Sequence, residues 1–585
     1  MKNLFLLFIF SLLFYSCKTE QPTTKPNIVL ILADDQGWGD LSINGNTNLS
    51  TPNIDQLAET GITFDRFYVC PVCSPTRAEL LTGRYHVRGG VYSTSAGGER
   101  LDLDETTIAE VFKNAGYTTA AYGKWHNGMQ PPYHPNARGF DDFYGFCSGH
   151  WGDYFSPMLE HNGEIVTGDG FIIDDLTNHG IHFIEQNKNN PFFLYLPFNS
   201  PHSPMQVPDE YWNKFENKEL KLQARDPEVE NVQHTKAALA MCENIDHNVG
   251  RITQKLEELG LSENTIVIYL SDNGPNGWRW NGGMKGRKGS TDEGGVRSPM
   301  FIKWRGKLEP GKKVTEIAAA IDFLPTLADL AGISYQTEKP LDGISLKPLL
   351  TEKNPQWEER FIFNYWNKKT SVRSQKYRFD HEGKLFDMEN DPGQYIDISA
   401  SEPEIAKQFL AARQKWETEI LAELPEKDDR TFTIGHPGFT FTQVPARDGK
   451  PHGNIQRSSI HPNCSFFTNW TDVSDSITWE AEVLAEGNYE VEIYYTCPPE
   501  SIGSSFEISF LGKKLMGKIT EPHDPPLTGM ENDRDPRTES YVKDFKPLKV
   551  GTIHLQKGQG ILTLKVLEKP GEQVMDFRLM MLKRL

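Results

Sequence analysis

Two pairs of hard oxygen ligands and four basic side chains carry the chemistry this sequence can do. Asp34 and Asp35 close the apolar run NIVLILADD, and Asp272 and Asn273 close TIVIYLSDN. Carboxylates with an amide carbonyl make an oxygen-rich set suited to a hard divalent cation. Lys124 and His126 follow TTAAYG, His202 follows PFFLYLPFNSP, and Lys288 lies in MKGRKGS; these supply cations and proton carriers around an anion. CSPTRAELLTGR, residues 73–84, stands apart from both sets. Pro75 suits the first turn of a helix running to Gly83, so Cys73 is expected just before a helix N-terminus, where unpaired N–H groups and the dipole favour an anion. With Arg77 one turn on, the thiol gains thiolate character. A thiolate is a poor companion for a hard cation, so something harder than sulfur is wanted at position 73. Cys70-x-x-Cys73 also has the spacing of a redox pair or half a zinc site, but no second close pair completes the zinc set.

The elements that must position these residues follow from the pattern around them. NIVLILADD, TTAAYGKWH, PFFLYLPFNSPH and TIVIYLSDNG are apolar runs with polar ends, as expected of strands buried on both faces. Helical stretches such as TPNIDQLAETG and TTIAEVFKNAG alternate with them, which implies an α/β fold: a mostly parallel sheet covered by helices. In that architecture ligands bind beyond the carboxyl ends of the strands, where all these polar residues fall. From about residue 351 the pattern changes to a hairpin and a helix at about 403–424, read as a small antiparallel subdomain extending to residue 430. Residues 435–585 alternate short strands with Gly and Pro punctuation and read as a β-sandwich.

At 585 residues the chain has room for two or three domains. Its 80 acidic against 61 basic residues give a net charge of −19, which argues against non-specific nucleic-acid binding and requires any anionic substrate to be met by local cations. The N-terminal MKNLFLLFIFSLLFYSC reads as a secretory signal over residues 1–17, with 18–26 as a polar tether. A cysteine after a small residue there resembles a bacterial lipobox, making Cys17 a lipidated membrane anchor; plain secretion is the alternative. The catalytic α/β region is then expected over 27–350.

Cys73-Ser-Pro-Thr-Arg77 with Leu81-Thr-Gly-Arg84 resembles the signature of type I sulfatases, in which this cysteine is converted to Cα-formylglycine. The resemblance covers about residues 26–425 and includes ADDQGWGD, GYTTAAYGKWHNG, RGFDDFYGF, LSDNGPNG, KGSTDEGGVRSPMF and KLFDMENDPGQ in that order. It implies an alkaline-phosphatase-like fold and one calcium ion bound by Asp34, Asp35, Asp272 and Asn273 with the modified Cys73. It further implies that the aldehyde hydrates, one hydroxyl attacks the sulfur of a sulfate ester, and the second is deprotonated to expel sulfate. By the same resemblance Arg77 and Lys124 fix the diol and sulfate oxygens, His126 is the base, and His202 and Lys288 face the leaving oxygen, with His202 as general acid. Ser148 is a weaker candidate. A formylglycine-generating or sulfatase-maturating enzyme is an implied partner.

His150 and Asp153 in SGHWGDYF are read equally as packing and as substrate contacts. Arg279, Lys285, Arg287 and Lys288 are either a solvated face or, on an acidic protein, the rim that receives an anionic substrate. Asn127 and Arg287 depart from the family pattern and leave substrate identity open. The leading expectation is a calcium-dependent sulfatase acting on a sulfated carbohydrate. The carbohydrate part rests on export and on the added β-domain with its aromatics Trp470, Trp479, Tyr494 and Tyr495. The alternatives are a phosphoesterase or phosphonate hydrolase of the same superfamily, and a non-catalytic glycan-binding surface lipoprotein.

Overall fold

A computed structural model describes residues 25–585 of the chain; the signal, Cys17 and most of the tether lie outside the described residues. Its largest sheet has ten strands. Five neighbours at its centre, Thr265–Ser271, Asn27–Ala33, Phe192–Pro197, Thr118–Lys124 and Asp142–Phe146, run parallel. Their side chains are almost all buried, which explains why the sequence shows continuous apolar runs where a half-exposed strand would alternate. Antiparallel strands flank this block: Met300–Trp304 joins Thr265–Ser271 on one side, and Met158–His161 joins Asp142–Phe146 on the other. The sheet is therefore mixed at its margins and parallel where the polar strand ends gather.

Helices cover both faces and build two cores, one on each side of the sheet. The long helix Val232–Glu258 and helix Ile172–Asn187 pack on one face, and Phe323–Leu330 and Ile108–Asn114 on the other. Thr107 and Glu110 start the last of these with a reciprocal capping box, which satisfies two otherwise orphaned donors. A separate four-stranded antiparallel sheet, Ile362–Trp366 to Leu385–Asp387, carries helix Pro403–Ile420 on its side.

The C-terminal β-rich domain consists of two six-stranded sheets closed over one core. Its longest strands, Ser476–Val483, Gly487–Thr496, Lys546–Leu555, Gly558–Glu568 and Asp576–Arg584, fall where period-two alternation places them. The aromatics, however, face inward. Trp470, Trp479 and Tyr495 are each about 1% exposed and belong to that core; only Tyr494 is part-exposed. Trp479 donates its indole N–H to the carbonyl of Pro445, so even its polar edge is used internally. These residues are therefore no surface for a sugar; alternation predicts only that one face of a strand is apolar, and here that face holds the rings. Truncation of Trp479 to Ala is expected to cost about 3–5 kcal/mol of stability. A urea unfolding midpoint indistinguishable from the native one contradicts that placement.

Candidate active site

The parallel register pairs Ala33 with Ser271, so the next residues, Asp34 and Asp272, leave adjacent strands side by side. The pairing continues into the loop, where Asp272 N–H donates to Ala33 O and Asp35 N–H to Asp272 Oδ1, at 3.1 Å each. Cys73 meets them from helix Cys73–Thr82. The cysteine is the first residue of that helix, with Val72 as its N-cap, so it sits within the first turn and not ahead of it. Gly83 closes the helix at φ 71°, a left-handed conformation glycine takes without steric cost. Thr76 fixes the helix against the strand by donating its hydroxyl to Asp272 O at 2.6 Å and accepting Cys70 N–H at 2.8 Å. Asp34, Cys73 and Asp272 then bring one ligand atom each to within 4.8 Å of one another, all fully buried or nearly so.

Each carboxylate has its own cation. Lys124 Nζ lies 2.7 Å from Asp34, Arg77 Nη2 2.8 Å from Asp272, and Lys288 Nζ 2.7 Å from Asp35. His202 Nε2 stands 3.6 Å from Asp35. Burial alone would raise the Asp34 pKa, but Lys124, His202, Arg77 and Lys288 outweigh it and hold that carboxyl ionised. Burial and the Asp34 charge together push Asp272 well above the usual carboxylate range. Two carboxylates in one dry site call for a further positive charge.

The donor chemistry fits a hard cation. Asn273 donates its amide N–H to Asp35 Oδ1 at 2.7 Å, and this leaves its Oδ1, like Asp34 Oδ1, a buried acceptor with no partner. Orphaned buried oxygens beside ionised carboxylates are what a calcium ion satisfies. The buried Asp34, Cys73 and Asp272 set matches the calcium-binding, formylglycine-containing motif of the sulfatases.

His126 occupies a left-handed backbone position, φ 65°, just past the strand Thr118–Lys124. Its Nε2–H donates to Thr94 O at 2.8 Å, leaving Nδ1 as a buried lone pair with no partner. Burial and the Lys124 charge depress its pKa well below the usual histidine range, so the ring is neutral. His202 is held the other way: its Nδ1–H donates to Ser203 O at 2.7 Å and turns Nε2 toward Asp35.

The remaining sequence candidates divide. His150 stacks on His202 at 5.9 Å between ring centroids, with Nε2 buried and unpartnered. Ser148 is buried, and its hydroxyl donates to Asn463 O and accepts from Arg447. Asp153 accepts Phe155 N–H in its own turn and packs beside Gly529. Lys285 is partly exposed near Asp292 and Asp380, and Arg287 lies over the Trp278 ring and donates to Asn276 O. Arg279 is not part of a rim. It is buried, pairs with Asp40 at 2.7 Å and donates to Asp35 O, so it braces the loop that carries Asp35. Asn127 likewise lies inside, with its amide aimed at Ser74 beside Cys73.

Sequence reasoning missed the residues that reach this place from the β-rich domain. Asn463 Nδ2 lies 3.4 Å from His150 Nδ1, and Arg447 pairs with Glu99 while holding Ser148. Glu539 accepts the Ser203 hydroxyl at 2.6 Å; burial opposes its ionisation, but that hydrogen bond and His202 hold its pKa below the ordinary value. Nothing local marks them, because they are single polar residues more than 250 positions from their partners.

A buried cluster of carboxylates and cations thus gathers at the strand ends of an α/β sheet. The sulfatase family profile matches residues 26–333, more than half of the chain, and the profile for the C-terminal part of N-sulphoglucosamine sulphohydrolase matches 288–417. The chain belongs to the sulfatase family. It is 33% identical over 376 residues to N-acetylgalactosamine-6-sulfatase of Mus musculus, covering 58% of this chain and 68% of that one. Arylsulfatase A of Homo sapiens is 36% identical over 401 residues, covering 60% and 74%. The crystal structure of Ps i-CgsB in complex with k-i-k-neocarrahexaose superposes with a TM-score of 0.62 at 32% identity, covering 69% of this chain and 96% of that one.

Behind Cys73 on the same helix, Glu79 is buried, accepts His86 N–H, and is pushed up to about 8 from 4.5 by burial. A folded-state pKa above the unfolded one stabilises fully below the unfolded value and loses that contribution as pH rises through the folded one. Native stability should therefore fall between about pH 5 and pH 8 more steeply than that of Glu79→Gln. Equal urea midpoint slopes in the two proteins contradict a neutral Glu79.

Proposed function

We propose that the protein is a calcium-dependent sulfatase that hydrolyses sulfate esters of a sulfated carbohydrate. The observation that carries the reading is the convergence of Asp34, Cys73 and Asp272 on one buried point beside Lys124, Arg77, Lys288 and His202. Asp34, Asp35, Asp272 and Asn273, with residue 73, would hold calcium, which offsets sulfate charge and favours an ionised oxygen nucleophile. Oxidised to formylglycine, residue 73 would supply that oxygen where a thiol cannot.

The chain's own residues divide the rest of the work. With a divalent cation bound and Asp272 ionised beside it, three carboxylates would stand against Lys124, Arg77 and Lys288, and the charge of the cation would be left over to receive an anionic ester. Lys124 and Lys288 already point their ammonium groups at this cluster and need little reorganisation to bind sulfate oxygens. His126 Nδ1 is the acceptor for the proton that must leave residue 73, because its Nε2–H is committed to Thr94. His202 Nε2 is the candidate donor to the leaving alcohol, oriented by Ser203 O.

The carbohydrate half of the reading rests on the relatives: one is named N-acetylgalactosamine-6-sulfatase and another is solved in complex with k-i-k-neocarrahexaose, both above 30% identity. The N-terminal apolar run supports export to the periplasm or cell surface, with Cys17 as the anchor, and a maturating enzyme acting on Cys73 before folding buries it.

Mass spectrometry of the peptide FYVCPVCSPTR from protein made in its native cell should show an aldehyde in place of the Cys73 thiol. Cys73→Ala should lower turnover of sulfated substrates at least about a thousandfold. Wholly unmodified thiol in protein that still turns over would sink the mechanism. Calcium added back to chelated protein should raise its melting temperature, through binding to the folded state alone, and should not do so in Asp272→Asn. A rise of equal size in both proteins would place the ion elsewhere.

A further inference from the structure

Beside Lys288 a cleft of about 730 Å³ opens away from the buried cluster, between the loop 285–290 and the four-stranded subdomain. Arg225, Lys285, Arg287, Lys288, Lys369 and Lys384 line it, with His381, against three carboxylates, Asp226, Asp292 and Asp397. The excess of positive charge is notable on a chain of net charge −19.

Several of these cations are not consumed by the fold. Among the described residues no carboxylate lies within ion-pairing distance of Arg287 or Lys369. Burial lowers the Arg287 pKa, Asp35 opposes that shift from beyond ion-pairing distance, and the nearby Arg279 adds to it. Its plane is held over Trp278 and its Nη1 is tied to Asn276 O, so the group is fixed in place without being drawn into an ion pair. His381 adds a buried Nδ1 with no partner. Asp292, the acid deepest in the cleft, is already taken by Ser290 and Gln394. Trp278 and Tyr395 contribute flat aromatic faces to the lining.

We propose that this cleft binds a second anionic group, a sulfate ester or carboxylate, carried on a neighbouring sugar of the same oligosaccharide whose sulfate is hydrolysed beside Lys288. The inference rests on the sulfatase reading and narrows it: the substrate is multiply anionic, and the cleft acts in binding, not in bond breaking. Lys288 joins the two places, since its ammonium group pairs with Asp35 while its side chain lines the cleft. Pre-placed cations of this kind raise affinity and association rate for a polyanion, and their effect is screened by salt.

The test compares the matured enzyme with a variant combining Arg287→Ala, Lys369→Ala and Lys384→Ala, none of which touches the proposed calcium ligands. Three probes are used: 4-nitrophenyl sulfate, which is too small to span both places, and sulfated tetrasaccharides of one backbone bearing either one or two sulfates. The variant should leave 4-nitrophenyl sulfate and the monosulfated probe within about twofold of native, and raise KM for the disulfated probe about tenfold or more with kcat kept. High salt should erase that difference. Equal effects on all three probes, or no effect on any, overturn the proposal. Calorimetric titration with dextran sulfate, with neutral dextran as control, reads the cleft without turnover. Weakened dextran sulfate binding in the variant supports the cleft even if native enzyme hydrolyses none of the probes, in which case the sulfatase reading fails and not the anion site. Unchanged dextran sulfate binding overturns it.

Discussion

Everything at the catalytic end of this molecule depends on one register: Ala33 opposite Ser271. It places the fully buried carboxylates of Asp34 and Asp272 together, and that arrangement would be untenable alone. An unpaired buried carboxylate costs several kcal/mol, so the fold must supply Lys124, Arg77 and Lys288 at salt-bridge distance. These cations in turn constrain their own elements. Arg77 ties the helix of Cys73 to both Asp272 and the carbonyl of Lys124, and Lys288 draws the loop 285–290 over the site. The charge ring is therefore part of the frame that orients residue 73.

The β-rich domain takes part in that frame. Its aromatic residues fill its own interior and give it an independent core, while its loops do the reaching. Arg447 links Glu99 to Ser148, Asn463 closes over His150, and Glu539 holds Ser203 beside His202. Arg534 and Arg537 reinforce the contact by pairing with Asp209 and by donating to Gly152 O. Such contacts hold the segment around His202 from outside the catalytic sheet.

Charge is distributed with the same logic. The chain as a whole is strongly acidic, yet the cleft beside Lys288 is lined by six Lys and Arg side chains against three carboxylates. Local cations within a low-dielectric cleft act over a short distance, whereas the overall negative charge suppresses indiscriminate association.

The sequence by itself determined the local elements and the chemistry class. Continuous apolar runs with polar ends specified buried parallel strands, Pro75 and Gly83 bounded the helix of Cys73, and residue types at strand ends pointed to a hard cation and an anion. It also determined the family, because the ordered motifs from Asp34 to Lys288 are individually weak but jointly specific. Only the tertiary structure decided which strands are neighbours. Asn27–Ala33 and Thr265–Ser271 are 238 positions apart, and parallel pairing requires crossovers whose register no local pattern encodes. For the same reason the inward turn of Trp470, Trp479 and Tyr495, the burial of Arg279 against Asp40, and the arrival of Asn463 and Glu539 at the site were not legible beforehand. Alternation says that a residue has a face, and spacing says that a charge is available; which neighbour meets them is settled by packing between distant segments.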